Sequence, residues 1–164
     1  MKKILDVCCS RRAFWFNPSD RRVIYMDKRS EHIVRRDSSN VKGIREFDIA
    51  PDILARFENV PFRDGLFSLV VFDPPHLATL GKNSYMAKQY GRLWPEWRES
   101  FRRGFAECFR VLRAGGVLIF KWCEYEFPVS EVLALTDEPP LFGHKSGKRS
   151  KTHWICFIKE GEKR

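Results

Sequence analysis

VVFDPPHLATLGK, residues 70–82, begins as a buried strand and stops at an acid followed by two prolines and a histidine. The apolar run before Asp73 is continuous rather than alternating, which is typical of a strand covered on both faces, as in a parallel sheet. Ligands of such a sheet bind beyond the carboxyl ends of its strands. Asp73 is therefore predicted to lie at the mouth of a ligand-binding crevice.

Other short apolar runs, rich in branched residues and bounded by Gly, Pro, Asp or Ser, predict further strands. The predicted strands cover residues 4–7, 23–26, 66–72, 117–122, 140–142 and 154–158. A long amphipathic helix is predicted within 94–112, with Pro95 in its first turn and a Gly-Gly pair after its end, and a shorter helix over 130–135. This order of elements predicts a doubly wound, Rossmann-like α/β domain.

Composition limits the partners and the compartment. The chain has 164 residues and a formal net charge of +9, which favours a polyanion, first nucleic acid and then an anionic membrane surface. No apolar run reaches the roughly 20 residues of a membrane span, and the N-terminus lacks a signal-peptide core. Its five cysteines form no CxxC pair and no zinc spacing, so we expect a reduced, cytoplasmic protein without a metal.

Two of the predicted strands end at acids. LDVCCSRR, residues 5–12, resembles the acid-x-Gly-x-Gly-x-Gly pattern of class I S-adenosylmethionine (SAM) methyltransferases, with Asp6 as the acid. The glycine places are held by Cys8, Ser10 and Arg12. Asp27 follows about 20 residues later, the separation at which a carboxylate takes the ribose hydroxyls of an adenosine cofactor. Either acid alone would equally suit a solvated strand end.

The longer stretch PDILARFENVPFRDGLFSLVVFDPPH, residues 51–76, resembles a second region of the same methyltransferases. In that family an acid contacts the adenine of the cofactor, whereas Arg56 stands at this place here, before Phe57. Phe57, with Phe14 or Trp15, would form apolar walls. The resemblance implies SAM as the cofactor and a binding site made of Asp6, Cys8, Cys9, Ser10, Asp27, Phe57 and Asp73.

Asp-Pro-Pro-aromatic is the motif of methyltransferases that modify the exocyclic amino group of a base, and Asp73, Pro74, Pro75 and His76 match it with histidine at the aromatic place. Such an amine is a poor nucleophile because its lone pair is delocalised into the ring. The Asp73 carboxylate and the Pro74 carbonyl would accept its hydrogen bonds and favour the pyramidal nitrogen of the transition state. His76 would stack on the base or shuttle a proton. The alternative is a turn in which Asp73 only caps the next segment.

Two further segments combine basic and aromatic residues. The segment 76–97 is predicted to be a lid without regular structure over a flipped nucleotide, and the turn within FGHKSGKRSKTHW, residues 142–154, to bind backbone phosphate if the strand before it runs parallel to the sheet. The candidate nucleic-acid-binding residues are Lys82, Tyr85, Lys88, Tyr90, Arg92, Lys145, Lys148, Arg149 and Lys151. A packed surface loop and a solvated hairpin are the respective alternatives.

CFRVLRAGGVLIFKW, residues 108–122, extends the likeness over nearly the whole chain. The sequence resembles the small methyltransferases of phages and other mobile elements that modify adenine in DNA. This resemblance implies a mostly parallel seven-stranded sheet with an antiparallel last strand, in one domain over 1–164 without a separate target-recognition domain, acting as a monomer or homodimer. Methylation of RNA, at adenine or at the 2-amino group of guanine, and an inactive nucleic-acid-binding module remain the alternatives.

Overall fold

A central sheet organises the computed structural model, which describes residues 3–36, 41, 43–81, 84–147 and 149–161. Within these ranges, seven strands lie in the order β5-β2-β1-β6-β7-β9-β8, and β3 and β4 form a separate hairpin. The strands are β1 (Ile4–Asp6), β2 (Val23–Asp27), β3 (Glu31–Arg36), β4 (Ile44–Ile49), β5 (Ile53–Leu54), β6 (Phe67–Phe72), β7 (Leu112–Cys123), β8 (Phe142–Lys145) and β9 (Thr152–Ile158). The helices are α1 (Tyr85–Tyr90), α2 (Trp97–Val111) and α3 (Val129–Leu133).

The strand directions confirm the predicted fold class. β1 pairs in parallel with β2 and β6, and β6 pairs in parallel with β7. The last strand, β9, is antiparallel to both of its neighbours, so β8 runs in the same direction as β7. The turn between β8 and β9 therefore emerges at the edge where β6 and β7 end, which is the condition set for its predicted role.

Helix α2 supplies most of the cover on one face of the sheet. Its apolar residues recur at three- and four-residue spacing, so they share a face, and they are buried in the core with Phe72, Phe120 and Trp122 of the strands. The helix ends at Val111, and the Gly-Gly pair falls inside β7 rather than at a helix end. The register between β6 and β7 jumps from Phe67↔Leu112 to Leu69↔Val117, so residues 113–116 bulge out of the pairing.

Gly104 lets α2 approach the sheet closely. A Cβ at this position would lie 2.6 Å from Cδ2 of Phe57 and 3.1 Å from Cζ of Phe72. Replacing a helical glycine by alanine usually stabilises by about 1 kcal/mol. We expect Gly104→Ala to destabilise instead, by about 1–3 kcal/mol, because two buried rings must shift. Thermal unfolding would measure this change.

Gly81→Ala is the matched control for this substitution, because a Cβ at position 81 meets no atom of the described residues within 4 Å. Its effect should stay within about 0.5 kcal/mol. The double variant Gly104→Ala/Phe57→Leu should recover part of the lost stability, since a smaller side chain at position 57 makes room. Equal stabilities of Gly104→Ala and the wild type would contradict the close approach.

Three elements differ from the sequence-based expectation. The hairpin of β3 and β4 was not predicted. Its residues are mostly exposed and both faces carry charged side chains, so the sequence lacks the apolar alternation that indicates a strand. β5 contains only two residues. The segment predicted to lack regular structure contains helix α1, whose Ser84 side chain caps it by accepting a hydrogen bond from the amide of Ala87 at 3.0 Å.

The connection between β1 and β2 is made of turns and covers the other face of the sheet. Trp15 from this segment packs against Tyr25, edge to face at 5.5 Å between ring centroids, beside Cys9 and Val23. This second cluster fixes the position of the turn that follows β1, which forms one wall of the candidate site.

Candidate functional site

A cavity of about 160 Å³ lies at the carboxyl edge of the parallel strands. The turn after β1, the end of β2, the residue after β6 and the end of α1 meet there. Its lining residues are Val7, Cys8, Cys9, Ser10, Ala13, Phe14, Asp27, Lys28, Arg29, Phe57, Asp73, Pro75, Tyr90 and Lys121. The structure thus brings most of the predicted cofactor residues together with Asp73 and Tyr90.

The Asp27 carboxylate organises the turn after β1. One of its oxygens accepts a hydrogen bond from the Ser10 amide at 2.9 Å, and the other accepts one from the Arg29 amide at 3.0 Å. Asp27 is only 5% exposed. Each carboxylate oxygen can accept a further hydrogen bond. Asp27 therefore lies in the cavity wall, and its contact with a ligand hydroxyl stays a prediction.

Residues at two of the glycine places have the backbone conformation that glycine favours. Ser10 has a φ of 46° and Arg12 a φ of 59°, both in the left-handed region. Such a conformation costs a residue with a Cβ about 1 kcal/mol or more. The turn shape thus does not require the glycines of the motif.

Contacts of the Arg12 side chain offset this cost. Its guanidinium lies 3.9 Å from the ring centroid of Tyr25 and donates hydrogen bonds to the carbonyls of Pro18 at 2.9 Å and Ala50 at 2.6 Å. It also pairs with Asp52 at 3.2 Å. The arginine that departs from the motif therefore ties the turn to β2 and to the segment before β5.

Asp6 is fully buried and is not among the residues that line the cavity, so its contact with the cofactor stays a prediction. Its carboxylate accepts hydrogen bonds from Trp15 Nε1 at 2.8 Å and from the Cys8 amide at 3.2 Å. Trp15 is likewise not in the cavity wall, whereas Phe14 and Phe57 are. Burial raises the pKa of Asp6 to about 7, against the opposing effect of these hydrogen bonds.

Asp73 forms an ion pair that the sequence reading missed. Lys121 Nζ, from the neighbouring strand β7, lies 2.6 Å from one Asp73 oxygen, and the side chains are 21% and 8% exposed. The ammonium group also lies 5.9 Å from the ring centroid of Phe14 and 5.6 Å from that of Trp154. The sequence signal for this ion pair was the presence of one charged residue, Lys121, inside the apolar run 117–122. The pair leaves the other Asp73 oxygen for a ligand.

The residues after Asp73 contact β7 and the segment that follows it. His76 lies outside the cavity lining and meets Trp122 edge to face at 6.1 Å, so the predicted stacking place is not formed by this residue here. Burial lowers the pKa of His76, against the raising effect of the Asp73 charge. Glu126 accepts a hydrogen bond from the Ala78 amide at 2.6 Å and one from the Thr79 hydroxyl. Pro74 and Pro75 are buried between these contacts.

Helix α1 closes one side of the cavity. The Ser10 hydroxyl donates to the Gln89 carbonyl at 2.6 Å, and the Arg29 guanidinium donates to the carbonyls of Lys88 and Gln89 at 2.8 and 2.9 Å. Tyr90, predicted to contact nucleic acid from a lid, lines the cavity, whereas Tyr85, at the other end of α1, packs on the hairpin of β3 and β4. The nucleic-acid contacts of both residues stay predictions.

The other predicted basic residues lie farther out. Arg92 donates to the Leu80 carbonyl at 3.2 Å, and Lys82 lies outside the described residues. In the turn after β8, Lys145 pairs with Glu124 at 2.6 Å, and Lys151 lies 4.8 Å from the ring centroid of Tyr125. Arg149 is exposed, and Lys148 lies outside the described residues.

No protein-family model matches the sequence, and no curated protein matches it. Solved structures do match in three dimensions. An N-methyltransferase, NodS from Bradyrhizobium japonicum, superposes with a TM-score of 0.58 at 12% identity, over 98% of this chain and 86% of that one. A SAM-dependent methyltransferase from Methanosarcina mazei gives 0.57 at 12% identity, over 99% and 95%. The chain has the methyltransferase fold.

The 16S rRNA N2 G1207 methyltransferase RsmC of T. thermophilus, in complex with AdoMet and guanosine, gives a TM-score of 0.54 at 14% identity. The match covers 99% of this chain and 36% of RsmC. In the present chain, the cavity lies at the carboxyl ends of the parallel strands of this fold. Among the described residues, none of the helices is both long and apolar enough to cross a membrane.

Proposed function

We propose that the protein is a SAM-dependent methyltransferase that acts on the exocyclic 6-amino group of adenine in DNA. The observation that carries this proposal is the position of Asp73. Its carboxylate follows β6, lines the same cavity as Asp27 and Phe57, and is followed by two buried prolines. This combination suits a site that holds a cofactor on one side and an amine on the other.

The described residues fit an adenosine cofactor. Asp27 would hold its ribose hydroxyls, the backbone of Cys8 to Ser10 would lie against its polar end, and Phe57 would cover its base. Arg56, at the place of the acid that contacts adenine in the family, instead pairs with Glu58 at 2.8 Å. When bound, SAM supplies an electrophilic methyl group on its sulfonium sulfur.

The protein would position the amine rather than activate it by a strong base. The Asp73 oxygen that does not contact Lys121 would accept a hydrogen bond from one N–H group of the amine. This hydrogen bond would turn the nitrogen lone pair towards the methyl donor. Asp73 or water would accept the proton that the amine nitrogen loses once it has been methylated. Lys121 would keep the carboxylate oriented through its ion pair.

DNA adenine is favoured by the resemblance to small phage methyltransferases, and we propose that this domain needs no separate target-recognition domain. The second candidate is RNA, at adenine or at the 2-amino group of guanine. It is supported by the fold likeness to RsmC, whose structure contains guanosine. Both candidates use the same amine chemistry, so they differ only in the base that the cavity admits.

Calorimetric titration with SAM, followed by mass spectrometry of nucleosides from treated DNA and RNA, tests the proposal. We expect SAM binding that is lost in Asp27→Ala, and N6-methyl-2′-deoxyadenosine in the DNA digest. Methylated bases in RNA alone would select the second candidate. No SAM binding at millimolar concentration would leave an inactive nucleic-acid-binding module and overturn the proposal.

A further inference from the structure

The β3–β4 hairpin extends from the edge that bears the cavity. β2 ends at Asp27, which lines the cavity, and β3 begins at Glu31. The chain returns from β4 to β5, which pairs with β2 at Met26↔Ile53. Ile33 and Ile49 at the base of the hairpin are buried, so they anchor it to the body of the protein. The hairpin is thus a fixed neighbour of the candidate site.

The two faces of the hairpin carry different charges. Because side chains alternate along a strand, the register Ile33↔Phe47 and Arg35↔Arg45 places these four on one face. The acids of β4, Glu46 and Asp48, lie on the opposite face. His32 holds both of them, at 3.0 Å and 2.6 Å. Within β3 and β4, Glu31 lies on the arginine side and Arg36 lies on the opposite side.

The cations on this side gather around two aromatic rings. Arg45 and Arg35 lie 4.6 and 6.0 Å from the ring centroid of Tyr85, and Arg11 lies 5.9 Å from that of Phe47. The two rings meet edge to face at 6.0 Å. We call these five residues the arginine face. It joins the hairpin to α1 and to the turn after β1, which also line the cavity.

This arrangement suits the backbone of a nucleic acid. Guanidinium groups bind phosphate oxygens in a bidentate manner, and the Arg45 guanidinium lies over the Tyr85 ring. Tyr85 and the cavity residue Tyr90 are separated by about 7.5 Å along the helix axis, so the face reaches the cavity mouth.

We propose that the arginine face binds the backbone phosphates beside the target nucleotide and so performs the anchoring role of a target-recognition domain. This inference rests on the proposed function, since it assumes a nucleic-acid substrate. Phosphate contacts set position without reading bases, so the face would hold different sequences equally well.

The test compares Arg35→Gln/Arg45→Gln with Arg63→Gln/Arg113→Gln. The control pair removes the same charge from exposed residues just before β6 and at the start of β7, the opposite edge of the sheet. Binding of a fluorescent duplex oligonucleotide would be measured over a series of salt concentrations. We expect the hairpin pair to weaken binding about 10- to 100-fold and to lower the salt slope by about 2, the loss of two phosphate contacts.

The control pair should keep nearly the wild-type slope, and Arg35→Lys/Arg45→Lys should retain most of it because the charges remain. Equal slopes for the hairpin and control pairs would overturn the inference. If the glutamine pair lowers the Tm, the single variant Arg35→Gln replaces it, with an expected slope change of about 1. SAM titration separates the two proposals. If the wild type binds SAM and methylates nucleic acid, but the hairpin pair binds the oligonucleotide as tightly as the wild type, the arginine face is rejected and the proposed function stands.

Discussion

Asp73→Ala is expected to lose methyl transfer by at least about 10²-fold while keeping its affinity for SAM. Removing one preorganised group that acts on the developing charge costs about 10²–10³-fold in other enzymes. The other predicted cofactor residues in the cavity wall lie on the turn after β1, at the end of β2 and after β5, so their positions do not depend on the Asp73 side chain. Single-turnover kinetics with labelled SAM, beside calorimetric titration, would measure the two quantities separately.

The structure offers a matched control and a second variant for this prediction. Asp64→Ala removes an exposed carboxylate from the turn before β6, at the opposite end of that strand, and should leave turnover unchanged. Asp73→Asn keeps one acceptor oxygen but ends the ion pair with Lys121, so an intermediate loss is expected. Full turnover in Asp73→Ala would remove this residue from the chemistry.

The second large effect concerns stability and pH at Asp6. The folded-state pKa of about 7 exceeds the value of an unfolded aspartate, so the folded protein binds the extra proton between about pH 4 and pH 7. Stability therefore falls as pH rises through this window. Asparagine cannot ionise. The free energy of unfolding of Asp6→Asn, relative to that of the wild type, should therefore increase by on the order of 4 kcal/mol as the pH rises from 4 to 8. The altered hydrogen bonds of asparagine add a cost that does not vary with pH.

Urea unfolding of both proteins across this pH range would measure the difference. The control is Asp20→Asn, since the hydrogen bonds from Arg22 lower the pKa of Asp20 to about 2. The stability that Asp20 contributes is lost only as pH falls below about 4, so the control should not change relative to wild type between pH 4 and 8. A difference between Asp6→Asn and wild type that is independent of pH would show that Asp6 titrates normally.

Strong local patterns made much of the fold predictable. The buried runs that became β6 and β7, and the aromatic spacing that became α2, each bury large side chains in one core, so local pattern and packing agree. The convergence of Asp27 and Asp73 followed from the rule that parallel strands end at one edge. Their positions at the cavity confirm that expectation, and their roles stay predictions.

Other features depend on contacts that sequence spacing does not reveal. In the sequence, Lys121 is a single charged residue in an apolar strand. Its contact with Asp73 follows only from the pairing of β6 with β7. The arginine face gathers three segments distant in sequence around Tyr85 and Phe47. His76 was assigned a stacking place from its motif, but its ring is drawn down to Trp122 by packing.

The turn after β1 has a consequence for how this sequence can diverge. Where glycine forms such a turn, each position varies independently of its surroundings. Here the side chain of Arg12, whose backbone is left-handed, contacts Tyr25 and Asp52, so we expect the effect of a substitution at one of these positions to depend on the other two. In descendants of this chain, arginine at position 12 should co-occur with an acid at position 52 and an aromatic residue at position 25, whereas a return to glycine at position 12 would relax both constraints.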